Sequence, residues 1–231
     1  MKICLSQFRS ESSLTTNVRR HVAVLERAGG SGCRLVVFPE LSLTGYQLAG
    51  AASDALRCDD ARLDPLRLAC ETSGVTALCG VPLQSEAGVE IGALLLAPNR
   101  PVRSYAKQHL HADEAPFFVP GVRDLSVQLG GHCIIPAICY ESVLPEHVEA
   151  AAGRGATLYA ASVAKPAAAI AKAHVHYAAM ARLRGLPIVV ANAVGPCDGF
   201  VSGGRSAAWR ADGSMVASLE ADVPGELVLD L

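Results

Sequence analysis

Three side chains of complementary chemistry each follow directly on a stretch of sequence that predicts a buried strand. They are the carboxylic acid Glu40, the amine Lys107 and the thiol Cys139. Because ligands bind at strand ends in α/β folds, three such strands can present these groups to one cleft. An acid, an amine and a thiol placed together can serve as general base, oxyanion partner and nucleophile. These residues are therefore candidates for nucleophilic catalysis by a cysteine, although each taken alone is more often a solvent-exposed charge or a buried structural thiol.

Strands and helices alternate along the chain, as is typical of a layered α/β architecture with two sheets or one large mixed sheet. Strands are predicted at residues 3–8, 35–38, 75–81, 91–97, 102–106, 126–129, 132–138, 157–163, 187–194, 206–210, 215–219 and 226–231. Helices are predicted from residue 16 to a stop at residues 29–30, within 54–71, from 145 to about 153, and at 166–183. A structured loop is predicted at residues 109–121. No linker divides the pattern, so we expect one domain over residues 1–231.

Composition favours a globular protein that acts on a small molecule. Hydrophobic residues make up 51% of the chain and charged residues 18%, and the formal net charge is -2. Lysine and arginine are scattered rather than grouped, which argues against a nucleic-acid surface. The sequence has no signal-peptide pattern and no apolar run of membrane-spanning length, so we expect a cytoplasmic protein without membrane contact. Its eight cysteines form no C-x-x-C pair, and no metal site is expected.

The surroundings of the three reactive residues resemble the motifs of a known family. Residues 36–46 (VVFPELSLTGY) resemble the glutamate motif of the nitrilase superfamily of carbon–nitrogen hydrolases. Residues 105–110 (YAKQHL) and 137–141 (AICYE) resemble its lysine and cysteine motifs, in the family's order. Glu114 and residues 117–121 also fit, as do Asn192 and residues 204–206. The resemblance covers nearly the whole chain.

The resemblance implies an α-β-β-α four-layer sandwich, hydrolysis through a Cys139 thioester without a cofactor, and at least a homodimer. By the same resemblance, Glu40 is the general base, Lys107 and the Tyr140 N–H face the oxyanion, and Glu114 positions the lysine and the substrate amide. A carboxylate with an ammonium nearby is expected to favour thiolate character at the cysteine. The predicted partner is a small linear amide, and the predicted substrate-binding residues are Tyr46, Phe118, Tyr140 and Lys165.

Three stretches depart from the family pattern and leave the substrate open. Glu141 and Ser142 replace an aspartate and an arginine, residues 161–165 replace a cluster of small residues and tryptophan, and residues 181–185 lack the usual Glu-Asn pair. N-carbamoyl amino acids, nitriles and a catalytically idle scaffold on the same fold remain as alternatives. Lys165 lies where the pocket wall is expected and is a candidate for binding a substrate carboxylate. Exposure to solvent is the favoured alternative for this residue, because most lysines are exposed.

Overall fold

The computed structural model describes all residues from Met1 to Leu231. Its helices are α1 (Leu14–Gly30), α2 (Ala51–Asp54), α3 (Asp64–Ser73), α4 (Pro145–Gly153) and α5 (Ala167–Arg184). Its strands are β1 (Lys2–Gln7), β2 (Leu35–Val37), β3 (Thr76–Gln84), β4 (Val89–Leu96), β5 (Arg103–Ala106), β6 (Val127–Leu129), β7 (His132–Ile138), β8 (Leu158–Val163), β9 (Ile188–Asn192), β10 (Val194–Cys197), β11 (Phe200–Gly203), β12 (Ala207–Trp209), β13 (Met215–Ser218) and β14 (Gly225–Asp230). None of the helices is both long and apolar enough to span a bilayer.

Most strands belong to two mixed sheets of six strands each. The first has the order β14-β1-β2-β3-β4-β5, and its central strands β1, β2 and β3 are parallel. The second has the order β13-β12-β9-β8-β7-β6, and β7, β8 and β9 are parallel. In both sheets antiparallel strands flank the parallel centre. Strands β10 and β11 form a separate hairpin.

Successive side chains of the first sheet point to its opposite faces and pack into two separate clusters of the hydrophobic core. Leu35 and Val37 of β2 belong to a cluster of 44 buried residues that contains both sheets' facing side chains and the inner faces of α4 and α5. Val36 between them points the opposite way, into a cluster of 22 buried residues beneath α1 and α3. Helices α1 and α3 therefore cover one sheet and α4 and α5 the other. The predicted α-β-β-α sandwich is confirmed.

Helix α1 ends at its predicted boundary. The sequence predicts a stop at Gly29 and Gly30, and the last helical residue is Gly30, with Ser31 as the C-cap. A Cβ on Gly29 would lie 2.6 Å from the Ser73 Cβ and 2.9 Å from the Ser73 carbonyl oxygen. Gly29 therefore also allows α1 and α3 to pack closely.

One correction concerns the strand predicted at residues 187–194. It breaks at Ala193, and the chain then enters the β10–β11 hairpin, which the sequence did not predict. Gly195 and Pro196 within β10 weaken the strand pattern. The hairpin matters to the site because Ser202 and Gly203 donate hydrogen bonds to the Lys165 carbonyl.

Candidate active site

Glu40 lies in a tight turn directly after β2, where a glycine of the neighbouring strand makes room for it. A Cβ on Gly80 of β3 would lie 2.8 Å from the Glu40 carbonyl carbon and closer still to main-chain atoms of Pro39 and Leu41. Leu41 has a φ of 51°, which non-glycine residues adopt rarely. The turn places the Glu40 side chain in the interior, where the residue is 2% exposed.

Lys107 follows β5 and is fully buried. Its ammonium donates to Glu40 Oε1 at 2.8 Å and to Glu114 Oε1 at 2.6 Å. Burial alone lowers the pKa of a lysine, but the nearby charges of Glu40, Cys139 and Glu114 raise the pKa of Lys107 above its ordinary value. The side chain is therefore an ammonium at neutral pH.

Glu114 lies in the loop at residues 109–121, as predicted for a structured loop without strand or helix. Besides Lys107, its Oε1 accepts a hydrogen bond from the Tyr46 hydroxyl at 2.8 Å, and its Oε2 accepts from the His111 N–H at 2.7 Å. Both oxygens are thus engaged with donors that hold the carboxylate in place. This geometry suits a residue that orients Lys107.

Cys139 follows β7 and is held in a strained conformation. Its φ is 46°, and its N–H donates to the Ser162 carbonyl at 3.0 Å. Its own carbonyl accepts from the Ser142 hydroxyl at 2.6 Å, and its thiol donates to the Ala164 carbonyl at 3.7 Å. Rare backbone conformations of this kind persist where the surrounding structure fixes them, and they concentrate at functional sites.

The site is arranged for a thiol that is protonated at rest. Burial and the charge of Glu40 raise the pKa of Cys139 to about 11, against the opposing effect of Lys165 and Lys107. The sequence predicts thiolate character here, and the difference arises because the packing of the two sheets removes the thiol from water. The thiol therefore needs a base.

Glu40 has the properties of that base. Burial raises the pKa of Glu40 to about 7, while the charge of Lys107 lowers it and that of Glu114 raises it. Its Oε1 is bound to Lys107, but its buried Oε2 has no hydrogen-bond partner in the protein. The Cys139 thiol is near enough to contribute to the pKa of this carboxylate. One oxygen of Glu40 is thus free to take a proton at neutral pH.

The predicted substrate-binding residues occupy different positions around this cluster. Tyr46 is 7% exposed and reaches the cluster through its hydroxyl. Phe118 is buried in the core, and its N–H donates to the Glu114 carbonyl at 3.0 Å. Tyr140 is partly exposed, and its N–H makes no hydrogen bond within the protein, which leaves it available beside the thiol. Lys165 is 9% exposed, so the expectation that it points to solvent is wrong.

Glu141 has a structural importance that the sequence did not indicate. The residue is fully buried, and its carboxylate accepts from the Ile138 N–H at 2.7 Å, the Gln108 N–H at 2.8 Å and the Tyr105 hydroxyl at 2.7 Å. Along the chain, Ile138 directly precedes Cys139, and Tyr105 and Gln108 lie before and after Lys107. The carboxylate thereby links the two segments that carry the nucleophile and the amine. In the sequence the only signal was its position two residues after Cys139, where the family motif has an aspartate.

Comparison with known proteins decides the family. The model of the carbon–nitrogen hydrolase family matches residues 2–229. The chain belongs to the carbon–nitrogen hydrolase family. The resemblance seen in the glutamate, lysine and cysteine motifs is thereby confirmed.

Solved structures of an amidase from Nesterenkonia sp. AN1 are similar to this carbon–nitrogen hydrolase over its whole length. One superposes with a TM-score of 0.90 at 28% identity and covers 100% of this chain and 92% of that chain. A variant of the same amidase has been solved in complex with butyramide, with a TM-score of 0.91, 28% identity and coverage of 100% and 90%. Another variant shows Michael addition of acrylamide at the active-site cysteine.

Curated relatives match over shorter stretches. A hydrolase of Mycobacterium tuberculosis (strain H37Rv) is 28% identical over 170 residues, which is 69% of this chain and 60% of that protein. The omega-amidase YafV of Escherichia coli (strain K12) is 30% identical over 131 residues, which is 56% of this chain and 50% of that protein. The match therefore spans between half and two thirds of the length of these relatives.

Proposed function

We propose that this carbon–nitrogen hydrolase is an amidase that hydrolyses a small linear amide to a carboxylic acid and ammonia through a thioester on Cys139. The observation that carries the proposal is the buried group in which Lys107 joins Glu40 to Glu114 while the free oxygen of Glu40 lies near the Cys139 thiol. The structures of the Nesterenkonia amidase with amides at its active site support the same chemistry.

In the proposed first half-reaction, Glu40 Oε2 takes the thiol proton as Cys139 Sγ forms a bond to the amide carbon. The negative charge that develops on the amide oxygen faces the Lys107 ammonium and the Tyr140 N–H. As the carbon–nitrogen bond breaks, Glu40 returns the proton to the departing nitrogen, and ammonia leaves. The acyl group is then held on Cys139 as a thioester.

In the second half-reaction, Glu40 takes a proton from water, which attacks the thioester carbon. The carbon–sulfur bond then breaks, the thiol regains its proton through Glu40, and the carboxylic acid leaves. A base with a pKa near 7 suits both halves, because it accepts and releases a proton with little cost at neutral pH. Glu114 takes no proton in this scheme and keeps the Lys107 ammonium in position. We also propose that residues 1–231 act as one catalytic domain.

The test is ammonia release from butyramide, acrylamide and related linear amides by the wild type and by Cys139→Ala. Cys133→Ala is the matched control, since Cys133 lies on the same strand β7 but is partly exposed and outside the cluster. We expect turnover by the wild type and the control and none by Cys139→Ala, whose circular dichroism should match the wild type. Wild-type turnover by Cys139→Ala, or no ammonia from any linear amide with the native protein, would overturn the proposal.

A further inference from the structure

Ser142 and Tyr177 form a buried hydrogen-bond chain that ends on the main chain of the nucleophile. The Ser142 hydroxyl donates to the Cys139 carbonyl at 2.6 Å, and its oxygen lies 2.6 Å from the Tyr177 hydroxyl oxygen. Both side chains are fully buried. Tyr177 belongs to α5, whereas Ser142 lies in a single 3₁₀ turn, Glu141–Val143, that closely follows the nucleophile. The chain therefore connects the helices that cover the second sheet to the reactive cysteine.

The direction of both hydrogen bonds is determined by the groups that make them. A carbonyl oxygen can only accept, so the single proton of the Ser142 hydroxyl is directed to Cys139. The Tyr177 hydroxyl must then donate the second hydrogen bond, to Ser142 Oγ. Burial raises the pKa of Tyr177 to about 12, so this hydroxyl keeps its proton at neutral pH. The ring of Trp209, with its centroid 5.4 Å from that of Tyr177, packs against the tyrosine.

The carbonyl that accepts from Ser142 belongs to the same peptide group as the Tyr140 N–H. This peptide is trans, so its C=O and its N–H point in opposite directions. The carbonyl accepts twice, from the Ser142 hydroxyl and from the Ser142 N–H at 3.2 Å, whereas the N–H has no partner in the protein. That free N–H is the main-chain donor that the proposed mechanism assigns to the oxyanion.

Hydrogen bonds at the carbonyl end of a peptide group strengthen the donor at its other end. Each accepted bond draws electron density toward the carbonyl oxygen, and successive hydrogen bonds in a chain polarise one another. The same bonds hold a peptide that begins at Cys139, whose φ of 46° is maintained only where the surrounding structure fixes it. The N–H is therefore oriented and polarised before a substrate binds, which is the condition under which a donor stabilises a transition state best.

Resting on the proposed amidase function, we propose that Ser142 and Tyr177 are positioning residues that orient and polarise the Cys139–Tyr140 peptide for its contact with the oxyanion. Both side chains are buried, and they act without contacting the substrate. Tyr177 acts through Ser142, and Ser142 acts through the peptide. Their effect should appear only in reactions that place negative charge on a carbonyl oxygen. A merely structural pair would instead affect every reaction of Cys139 alike.

The experiment compares a reaction of Cys139 that builds an oxyanion with one that does not. The first is ammonia release from butyramide in a single turnover, with the protein in excess. The second is modification by methyl methanethiosulfonate, in which the Cys139 sulfur forms a disulfide with the methylthio group and methanesulfinate leaves. Mass spectrometry of the peptide that contains Cys139 follows this reaction. Both reactions require removal of the thiol proton, but only the first places charge on a carbonyl oxygen.

Both rates are measured for the wild type, Ser142→Ala, Tyr177→Phe, the double variant and Ser73→Ala. Ser73→Ala is the matched control, because the Ser73 hydroxyl also donates to a main-chain carbonyl, that of Ala69 on α3. We expect Ser142→Ala to lower the single-turnover rate on the order of 10-fold and Tyr177→Phe about threefold, as for the loss of one hydrogen bond and of its support by a second.

The rate of disulfide formation should stay close to the wild-type value in every variant. The double variant should match Ser142→Ala in ammonia release, because Tyr177 has nothing to act through once the Ser142 hydroxyl is absent. Ser73→Ala should match the wild type in both reactions.

Equal losses in the two reactions would overturn the proposal and assign the pair to placement of the thiol. A double variant that loses the product of the two single effects would overturn it too, since Tyr177 would then act independently of Ser142. Tyr177→Phe removes one oxygen and adds no atom, so it decides the proposal even if Ser142→Ala does not fold. An unchanged single-turnover rate in Tyr177→Phe would overturn it.

Failure of the amidase function would be recognised separately. If the wild type releases no ammonia from butyramide, butyraldehyde is the probe. The Cys139 sulfur adds to its carbonyl carbon, the thiol proton passes to the aldehyde oxygen, and that oxygen then lies where the oxyanion would form. Protection of Cys139 from methyl methanethiosulfonate measures how tightly the aldehyde is held. Binding that is weaker on the order of 10-fold in Ser142→Ala, and weaker also in Tyr177→Phe, would support the inference while the proposed reaction fails. Equal protection in all three proteins, or none in the wild type, would overturn the inference.

Discussion

The raised pKa of Glu40 predicts a loss of activity on acidification that an ordinary glutamate would not give. As general base, Glu40 must be ionised in the free enzyme, so kcat/KM should fall as the pH falls through its pKa. With a pKa of about 7, roughly 90% of Glu40 is ionised at about pH 8 and roughly 1% at about pH 5. The fall in kcat/KM between these values is then roughly 90-fold. At the ordinary value of 4.5, about three quarters would remain ionised at about pH 5 and the fall would be less than about twofold.

Lys107 and Cys139 should not titrate in this window. The pKa of Lys107 is raised above its ordinary value, so the ammonium persists, and burial raises the pKa of Cys139 to about 11, so the thiol stays protonated. The acid limb of the profile therefore reports the carboxylate base. The alkaline side should be flat until well above neutral pH.

The assay is ammonia release from butyramide, a neutral amide that does not itself titrate, at concentrations far below KM. Reversibility is the control: protein held at about pH 5 and returned to about pH 8 should recover full activity, which excludes acid unfolding as the cause. A profile that stays flat from about pH 8 to about pH 5 would refute the reasoning. It would mean that the base is ionised at its ordinary pKa or that Glu40 is not the base.

Three further predictions follow from the packing and from the family. Gly80→Ala should displace the turn that carries Glu40 and lower kcat/KM by a factor on the order of 100. The control Gly153→Ala should leave kcat/KM unchanged, because a Cβ at that position meets no atom within 4 Å. Glu141→Gln should lower the free energy of unfolding in urea by about 1–3 kcal/mol, because an amide group cannot accept all the hydrogen bonds of the buried carboxylate. Replacing the exposed Glu146 by Gln should cost less than about 1 kcal/mol, the usual value of a carboxylate in the first turn of a helix, and equal values for the two variants would contradict the account. Light scattering at micromolar concentration should give at least twice the 24.0 kDa monomer mass, and a monomeric mass would rule out the predicted homodimer.

Local patterns in the sequence predicted much of the fold and the reactive residues. Strand β7 and helix α4 begin and end where the sequence places them, because glycines, a proline and apolar runs mark those boundaries. Glu40, Lys107 and Cys139 were found from their positions after buried strands, and the structure brings all three together with Glu114. The motif spacing carries this information because each residue lies within three residues of the end of its own strand.

The features of the site that the sequence did not predict depend on contacts between segments far apart along the chain. The burial of Lys165 and the protonation of Cys139 result from the packing of the second sheet, its helices and the β10–β11 hairpin, which no local pattern specifies. The role of Glu141 also required donors from two separate segments, one around Lys107 and one next to Cys139. The close packing of Gly29 against α3 was not predicted either, because Ser73 lies far along the chain.

The central claim, that Cys139 carries the acyl group, is tested most directly by mapping that group during turnover. The protein is mixed with butyramide, quenched in acid before the steady state, digested and analysed by mass spectrometry. We predict that the peptide containing Cys139 gains the mass of a butyryl group in place of a proton, and that hydroxylamine removes it, as expected of a thioester. A butyryl group on any other residue, or an unmodified Cys139 peptide at a time when a burst of ammonia has been released, would contradict the account.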